Sequence, residues 1–190
     1  MTDGKNRRRL AAVTLAATLG LSSFAPLGAA DIGSAGLQAG TGFRAGRVTG
    51  YPVPRFVSLK SANAHMRVGP STDYPTAWVY SARGLPLEIT DEYGNWRRVR
   101  DQEGASGWMF APLLSGRRTA VVGPWLDEPV ALRADASRNA RVIARLDPSV
   151  RLNVDHCDGR WCRVALQDRR VSGSIEQPSL WGIYPGEVVQ

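Results

Sequence analysis

The sequence predicts an all-β protein whose main body is two small barrels in tandem. Three observations carry that reading. One pattern occurs twice, from Asn63 to Met109 and again from Pro129 to Ile175, at an offset that changes only between 65 and 66 residues. Inside each copy apolar residues alternate with polar ones: Leu85, Leu87 and Ile89 in the first, Val150, Leu152 and Val154 in the second. Period two means strands with one face inward and one outward. Beyond the first thirty residues no long stretch repeats every 3.6 residues, so helices are not expected. The paired landmarks are Met66-Arg67 with Leu132-Arg133, Gly94-Asn95-Trp96-Arg97-Arg98-Val99 with Gly159-Arg160-Trp161-Cys162-Arg163-Val164, and Gly107 with Gly173. A repeat of this length is one supersecondary unit used twice.

The elements follow in chain order. Residues 1–30 read as a secretory signal peptide: a basic start at Lys5, Arg7, Arg8 and Arg9, an uncharged run from Leu10 to Leu21, and the small residues Gly28-Ala29-Ala30 before cleavage. The run is too short and too rich in Ala, Thr and Ser for a spanning helix, which needs about 20 apolar residues, and no stable membrane span is expected after cleavage. Residues 31–54 hold six glycines and two prolines without a hydrophobic period, and read as a flexible linker. The first barrel is assigned to 55–118, beginning with the alternating run Phe56-Val57-Ser58-Leu59-Lys60, and the second to 119–190 with an apolar tail. Between them Arg117 to Gly123 offers no flexible spacer, so a fixed relation is expected. Ser174 stands in the second copy where the first has Trp108, and the tail residue Trp181 is expected to fold back and fill that volume.

Export sets how charge and cysteine are read. The chain carries a formal net charge of +7, of which the signal supplies four basic residues and one acid. Region 55–118 has nine basic and six acidic residues, and 121–176 has nine and eight. Such a mixed surface on an exported protein does not make a nucleic-acid interface. The only cysteines, Cys157 and Cys162, bracket Asp158-Gly159-Arg160-Trp161. Asp-Gly between strands is a hairpin turn signal, and two cysteines flanking such a tip in an oxidising compartment form a disulfide. At offset 65 they fall on Glu92 and Arg97, an opposite-charge pair at the same cross-strand place. That pair reads as a surface ion pair of little worth.

Ala64-His65-Met66-Arg67-Val68-Gly69-Pro70-Ser71, then Gly84-Leu85-Pro86-Leu87, then Gly94 to Val99, then Gly107-Trp108-Met109 resembles the bacterial SH3 (SH3b) domain. The second copy keeps Leu132-Arg133, Val142-Ile143-Ala144-Arg145-Leu146 and Gly159 to Val164. It lacks the Gly-Pro after the arginine and the final Trp, and is a degenerate member. The resemblance spans 56–185 and extends to the tandem SH3-domain proteins of the alphaproteobacterial envelope. It implies a five- to seven-stranded barrel per repeat and a role as a targeting module, many such domains binding cell-wall peptide or glycan.

Function is therefore expected to be non-catalytic binding in the periplasm or cell envelope, through a groove between the first loop (Val68 to Thr76) and the hairpin tip (Asp91 to Asn95). Tyr74, Tyr93, Trp96 and Trp108 are the candidate ligand-binding aromatics, since aromatic rings stack on a peptide or sugar at low entropy cost. Arg67 and Arg98 are the candidates for a carboxylate. Trp96 recurs as Trp161, so a packing role competes with a ligand role. The partner is peptidoglycan or an envelope protein. The alternative function is an adaptor that contacts another envelope protein through the interdomain surface and the apolar tail. No cofactor is called for, and no metal, because His156 and two cysteines are too few ligands. No enzyme is expected either: His65 and His156 sit at unrelated positions, His65 on an outward strand face, and no nucleophile–base arrangement follows from the spacing.

Overall fold

In a computed structural model, residues 42–167 and 170–190 are described. The signal-peptide reading and the first part of the linker reading lie outside those residues. Within them there is no α-helix; the chain forms seventeen short strands in curled antiparallel sheets.

A two-stranded hairpin comes first: β1 (Arg44–Ala45) and β2 (Pro52–Val53). The first barrel follows, with β3 (Arg55–Leu59), β4 (Ala64–Arg67), β5 (Thr76–Tyr80), β6 (Pro86–Tyr93), β7 (Trp96–Arg100), β8 (Ser106–Phe110) and, after a 3-10 turn at Ala111–Leu113, β9 (Leu114–Ser115). Its order is β5-β4-β8-β7-β6-β3-β9. The second barrel repeats it with β10 (Thr119–Val122), β11 (Val130–Arg133), β12 (Val142–Leu146), β13 (Arg151–Asp158), β14 (Trp161–Leu166), β15 (Ser172–Glu176), a 3-10 turn at Gln177–Ser179 and β16 (Leu180–Trp181). The order β12-β11-β15-β14-β13-β10-β16 is the same path. A last strand, β17 (Val188–Val189), pairs with β13. The inward halves of the alternating runs form two cores, one around Met66, Leu87, Ile89, Val99 and Met109, the other around Leu132, Leu152, Val164, Ile175 and Leu180.

Cys157 and Cys162 are cross-strand partners in β13 and β14 and are joined by a disulfide. Gly159 takes φ +94° at the tip between them, a left-handed turn conformation that a side chain disfavours. Glu92 and Arg97 are partners at the same place in the first barrel.

That pair is not the exposed ion pair read from the sequence. The Glu92 side chain is fully buried and Arg97 nearly so, because residues 42–54 fold over them. The segment taken as flexible linker is, from Gly42 on, a docked hairpin. Glu92 accepts hydrogen bonds from the backbone N–H of Val48 and Thr49 (both 2.9 Å), from Thr49 Oγ1 (2.6 Å) and from Arg55 Nη2 (2.8 Å). Its neighbour Asp91 holds Arg44 at 2.8 Å. Val53 then enters the first core, 1% exposed. Glycine content reads as backbone freedom, but at Gly46 it serves close approach: a Cβ there would fall 2.5 Å from the Glu92 carboxylate. The other barrel uses β17 for the same purpose, laying Val189 beside Cys157.

Trp181 also departs from expectation. Leu180–Trp181 is the closing strand of the second barrel, the counterpart of Leu114–Ser115, and pairs with β10. Alternation sends Leu180 inward and turns Trp181 toward the first barrel instead of into the second. Its ring meets Phe56 edge-on at 5.2 Å, and the Arg100 guanidinium lies 5.7 Å above it. Tyr184 packs on Phe56 at 4.6 Å and on Phe43 at 5.3 Å, and its hydroxyl donates to buried Glu88 (2.9 Å), which also accepts from Arg100. Arg118 holds the tail through two hydrogen bonds to the Glu187 carboxylate, at 2.7 and 3.0 Å. The apolar tail is thus the seam between the barrels.

Two expectations follow. Burial alone would raise the Glu92 pKa; hydrogen bonds from Thr49, Arg55 and Val48 outweigh it and bring the value from 4.5 down to about 2. The folded value lies below the unfolded one, so this stabilisation is complete above about pH 4.5 and is lost as pH falls through that value toward 2. Glu92→Ala strands the hairpin's donors and the two arginines, costing about 3 kcal/mol; urea melts at pH 7 measure it, and the gap from the parent should shrink on acidification from pH 4.5 to 3. Separately, the double substitution Trp181→Ala/Tyr184→Ala should divide one calorimetric transition into two, because the seam's aromatic contacts couple the barrels.

Candidate functional site

The first barrel carries an open cleft of about 440 Å³. One wall is the first loop, with Pro70, Ser71 and Thr72; the other is the outer face of the sheet, with His65, Arg67, Trp96 and Phe110, flanked by Asn63 before β4 and Leu113 in the 3-10 turn. Strand alternation decides which residues reach it. In β7 Arg97 and Val99 are buried while Trp96, Arg98 and Arg100 face out; in β8 Gly107 and Met109 are buried while Ser106, Trp108 and Phe110 face out. The register pairs Trp96 with Phe110 directly, and their rings lie 5.6 Å apart at 57°. This tilted pair is the floor of the cleft.

The polar groups are held by the backbone. Arg67 Nη1 donates to the carbonyl of Tyr74 at 2.6 Å, which fixes the guanidinium at the cleft edge. His65 Nδ1 lies 3.2 Å from Thr76 Oγ1 across β4 and β5. Ser71 Oγ donates to Asp73 Oδ2 (2.9 Å) and accepts from the Asp73 N–H (3.2 Å), closing the loop on itself. Behind the cleft the Tyr80 hydroxyl donates to Asp101 (2.7 Å), whose other oxygen accepts from the N–H groups of Glu103 and Ala105. Burial first, and the Asp101 carboxylate second, push the Tyr80 pKa well above the usual phenol value, so it stays a donor. The β7–β8 turn is thereby tied to β5.

Of the six sequence candidates the structure brings two into the cleft, Trp96 and Arg67. Tyr74 is 46% exposed and lies against its own loop; a Cβ on Gly69 would sit 2.5 Å from its ring. Tyr93, 62% exposed, is at the hairpin tip and lines no part of the cleft. Trp108 pairs across the strands with both Arg67 and Arg98 on the sheet's outer face. Arg98 lines a second cleft on the far side of that face. The residues that sequence reasoning passed over are Phe110 and His65. Phe110 had a usable signal, since Trp108-Met109-Phe110 alternates and sets both aromatics on one face.

The arrangement offers an aromatic floor for stacking and a fixed guanidinium for an anion. Among the described residues no cluster of His, Cys, Asp and Glu side chains could hold a metal ion. No helix among them is long and apolar enough to cross a membrane.

The chain can now be set beside known proteins. Solved structures similar to it include an NlpC/P60 family protein from Bacillus cereus ATCC 10987, at 14% identity and TM-score 0.29, covering 66% of this chain and 55% of that one. NlpC2 from Trichomonas vaginalis is similar at 14% identity and TM-score 0.29, over 69% of this chain and 49% of that one. The chain thus spans about half the length of each, and likeness this low says nothing of its activity. No curated protein matches it. The family described as "Bacterial SH3 domain" matches twice, at residues 60–116 and 127–182, one match on each barrel and together more than half of the chain. Two matches in tandem, on two sheets of identical strand order, place this chain in the bacterial SH3 domain family.

Proposed function

We propose that the chain is a non-catalytic, exported binding module of the cell envelope, taking peptidoglycan or a peptide segment in the cleft of its first barrel. The observation that carries this reading is the Trp96–Phe110 floor, open to solvent and edged by Arg67 and His65. Phe110 is 40% exposed and Trp96 half-buried, and a partly exposed aromatic pair beside a positioned arginine is what a sugar ring or peptide bearing a carboxylate needs. Bacterial SH3 domains often bind cell wall, which agrees in chemistry.

The adaptor alternative relied on the interdomain surface and the tail. Phe56, Trp181 and Tyr184 are packed on one another there, so that surface is already used within the chain.

Sedimentation with purified sacculi tests the proposal. Mature protein should co-sediment, and Trp96→Ala should weaken binding about tenfold, the worth of one well-placed stacking contact. Tyr74→Ala and Tyr93→Ala, outside the cleft, should bind nearly as the parent does. A Trp96→Ala protein that sediments like the parent would end the cleft reading.

A further inference from the structure

The cleft is one end of a longer feature. The β7–β8 register runs Trp96 with Phe110, Arg98 with Trp108, and Arg100 with Ser106. Along this one ladder the outer face changes from aromatic, through a mixed arginine–tryptophan pair, to arginine. Four residues of strand put about 14 Å between its ends. At the far end a second cleft, of about 410 Å³, opens between the sheet and the N-terminal hairpin, with Arg44, Arg98 and Arg100 in its walls.

The charge there is unevenly committed. Arg44 is paired with Asp91 at 2.8 Å and Arg100 with Glu88 at 2.6 Å. Arg98 has Asp91 as its cross-strand neighbour, but Asp91 is held by Arg44 and, at 3.3 Å, by Arg47. Among the described residues Arg98 therefore has no ion-pair partner, and it is exposed. Four guanidinium groups face two carboxylates, which leaves the end of the ladder positive.

The second barrel is an internal control. The same ladder in β14 and β15 pairs Trp161 with Glu176, Arg163 with Ser174, and Ala165 with Ser172. Phe110 and Trp108 have become Glu176 and Ser174, and Arg100 has become Ala165. Glu176 is bound by Arg138 at 2.6 Å, and Arg163 donates to the carbonyl of Ala134 at 3.0 Å. The second barrel keeps the same strand order without these residues, so the fold does not require Phe110 and Trp108 on that face.

We propose that the outer face of β7 and β8 binds a linear, carboxylate-bearing wall polymer lengthwise. A ring or apolar group of the polymer sits in the Trp96–Phe110 cleft, and a carboxylate about 7 Å further along, two residues of strand away, pairs with Arg98. Arg98, which has no ion-pair partner, is the specificity residue for charge, while Arg67, already donating to the Tyr74 carbonyl, shapes the cleft edge; the first barrel alone is the binding barrel. This rests on the cleft reading above and adds the ligand's charge and direction.

The test uses soluble peptidoglycan fragments in two forms, with free carboxyl groups and with those groups amidated, titrated calorimetrically into the exported chain. The parent should bind the free-acid form about tenfold more tightly than the amidated form. Arg98→Gln, at an exposed position, should keep the parent's melting temperature and bind both forms equally, at the parent's affinity for the amidated one. Arg163→Gln in the second barrel should behave as the parent. Equal binding of both forms by the parent, or discrimination that survives in Arg98→Gln, overturns the charge assignment and leaves the cleft reading standing. Binding of neither form overturns both.

Discussion

The buried Glu88 carboxylate and the aromatic rings around it are the contact on which the arrangement of this molecule depends. One oxygen accepts from the Tyr184 hydroxyl and the other from Arg100. Through Tyr184 it reaches the tail of the second barrel; through Arg100 it reaches the ladder that carries the candidate site. Phe56, Trp181 and Tyr184 close the apolar part of the same seam. A carboxylate that is only 4% exposed is costly unless paired and hydrogen-bonded. Arg100 comes from the next strand of the same hairpin and Tyr184 from the tail of the second barrel, so the cost is met in full only when the barrels are docked. Burial, and then the nearby Glu88 charge, push the Tyr184 pKa far above its ordinary value, which keeps the hydroxyl a donor.

The two repeats solve one problem with different chemistry. Each has a long hairpin, β6–β7 or β13–β14, whose tip projects beyond a barrel of about 60 residues, a size that is marginal alone. In the first barrel the tip is secured by Glu92, a buried acceptor that gathers the N-terminal hairpin. In the second it is secured by the Cys157–Cys162 disulfide and by β17. The divergence reaches the outer face as well. One barrel has Trp96, Trp108 and Phe110 there; in the other Trp161 and Ser174 are buried and Glu176 is bound to Arg138. One copy is open for a ligand and the other is a supporting body.

Much of this was legible in the chain. Period-two alternation and the repeat of Gly-x-Trp-x-Arg-Val specify strands and their inward faces, because alternation is a local property of extended backbone. Cys157 and Cys162 could be paired because a two-residue turn leaves little choice of register. The candidate site was legible in part. Trp96 and Arg67 could be named, as an aromatic able to stack and a cation able to hold a carboxylate. Phe110 and His65 were passed over because membership of a cleft depends on which strands stand side by side, and β4 meets β8 only through the closure of the barrel.

The amino-acid order by itself determined the all-β class, the two barrels, their hairpin tips and the disulfide. These rest on contacts between residues close in sequence, where spacing dictates geometry. Tertiary structure alone decided that Glu92 is buried, that residues 42–54 dock, and that Trp181 faces the neighbouring barrel. It alone set the N-terminal hairpin against that sheet, so that Arg44 lines a second cleft with Arg98 and Arg100. Each of these depends on partners tens of residues away, and burial of a charge or an aromatic ring is fixed by what packs over it, which no local pattern encodes.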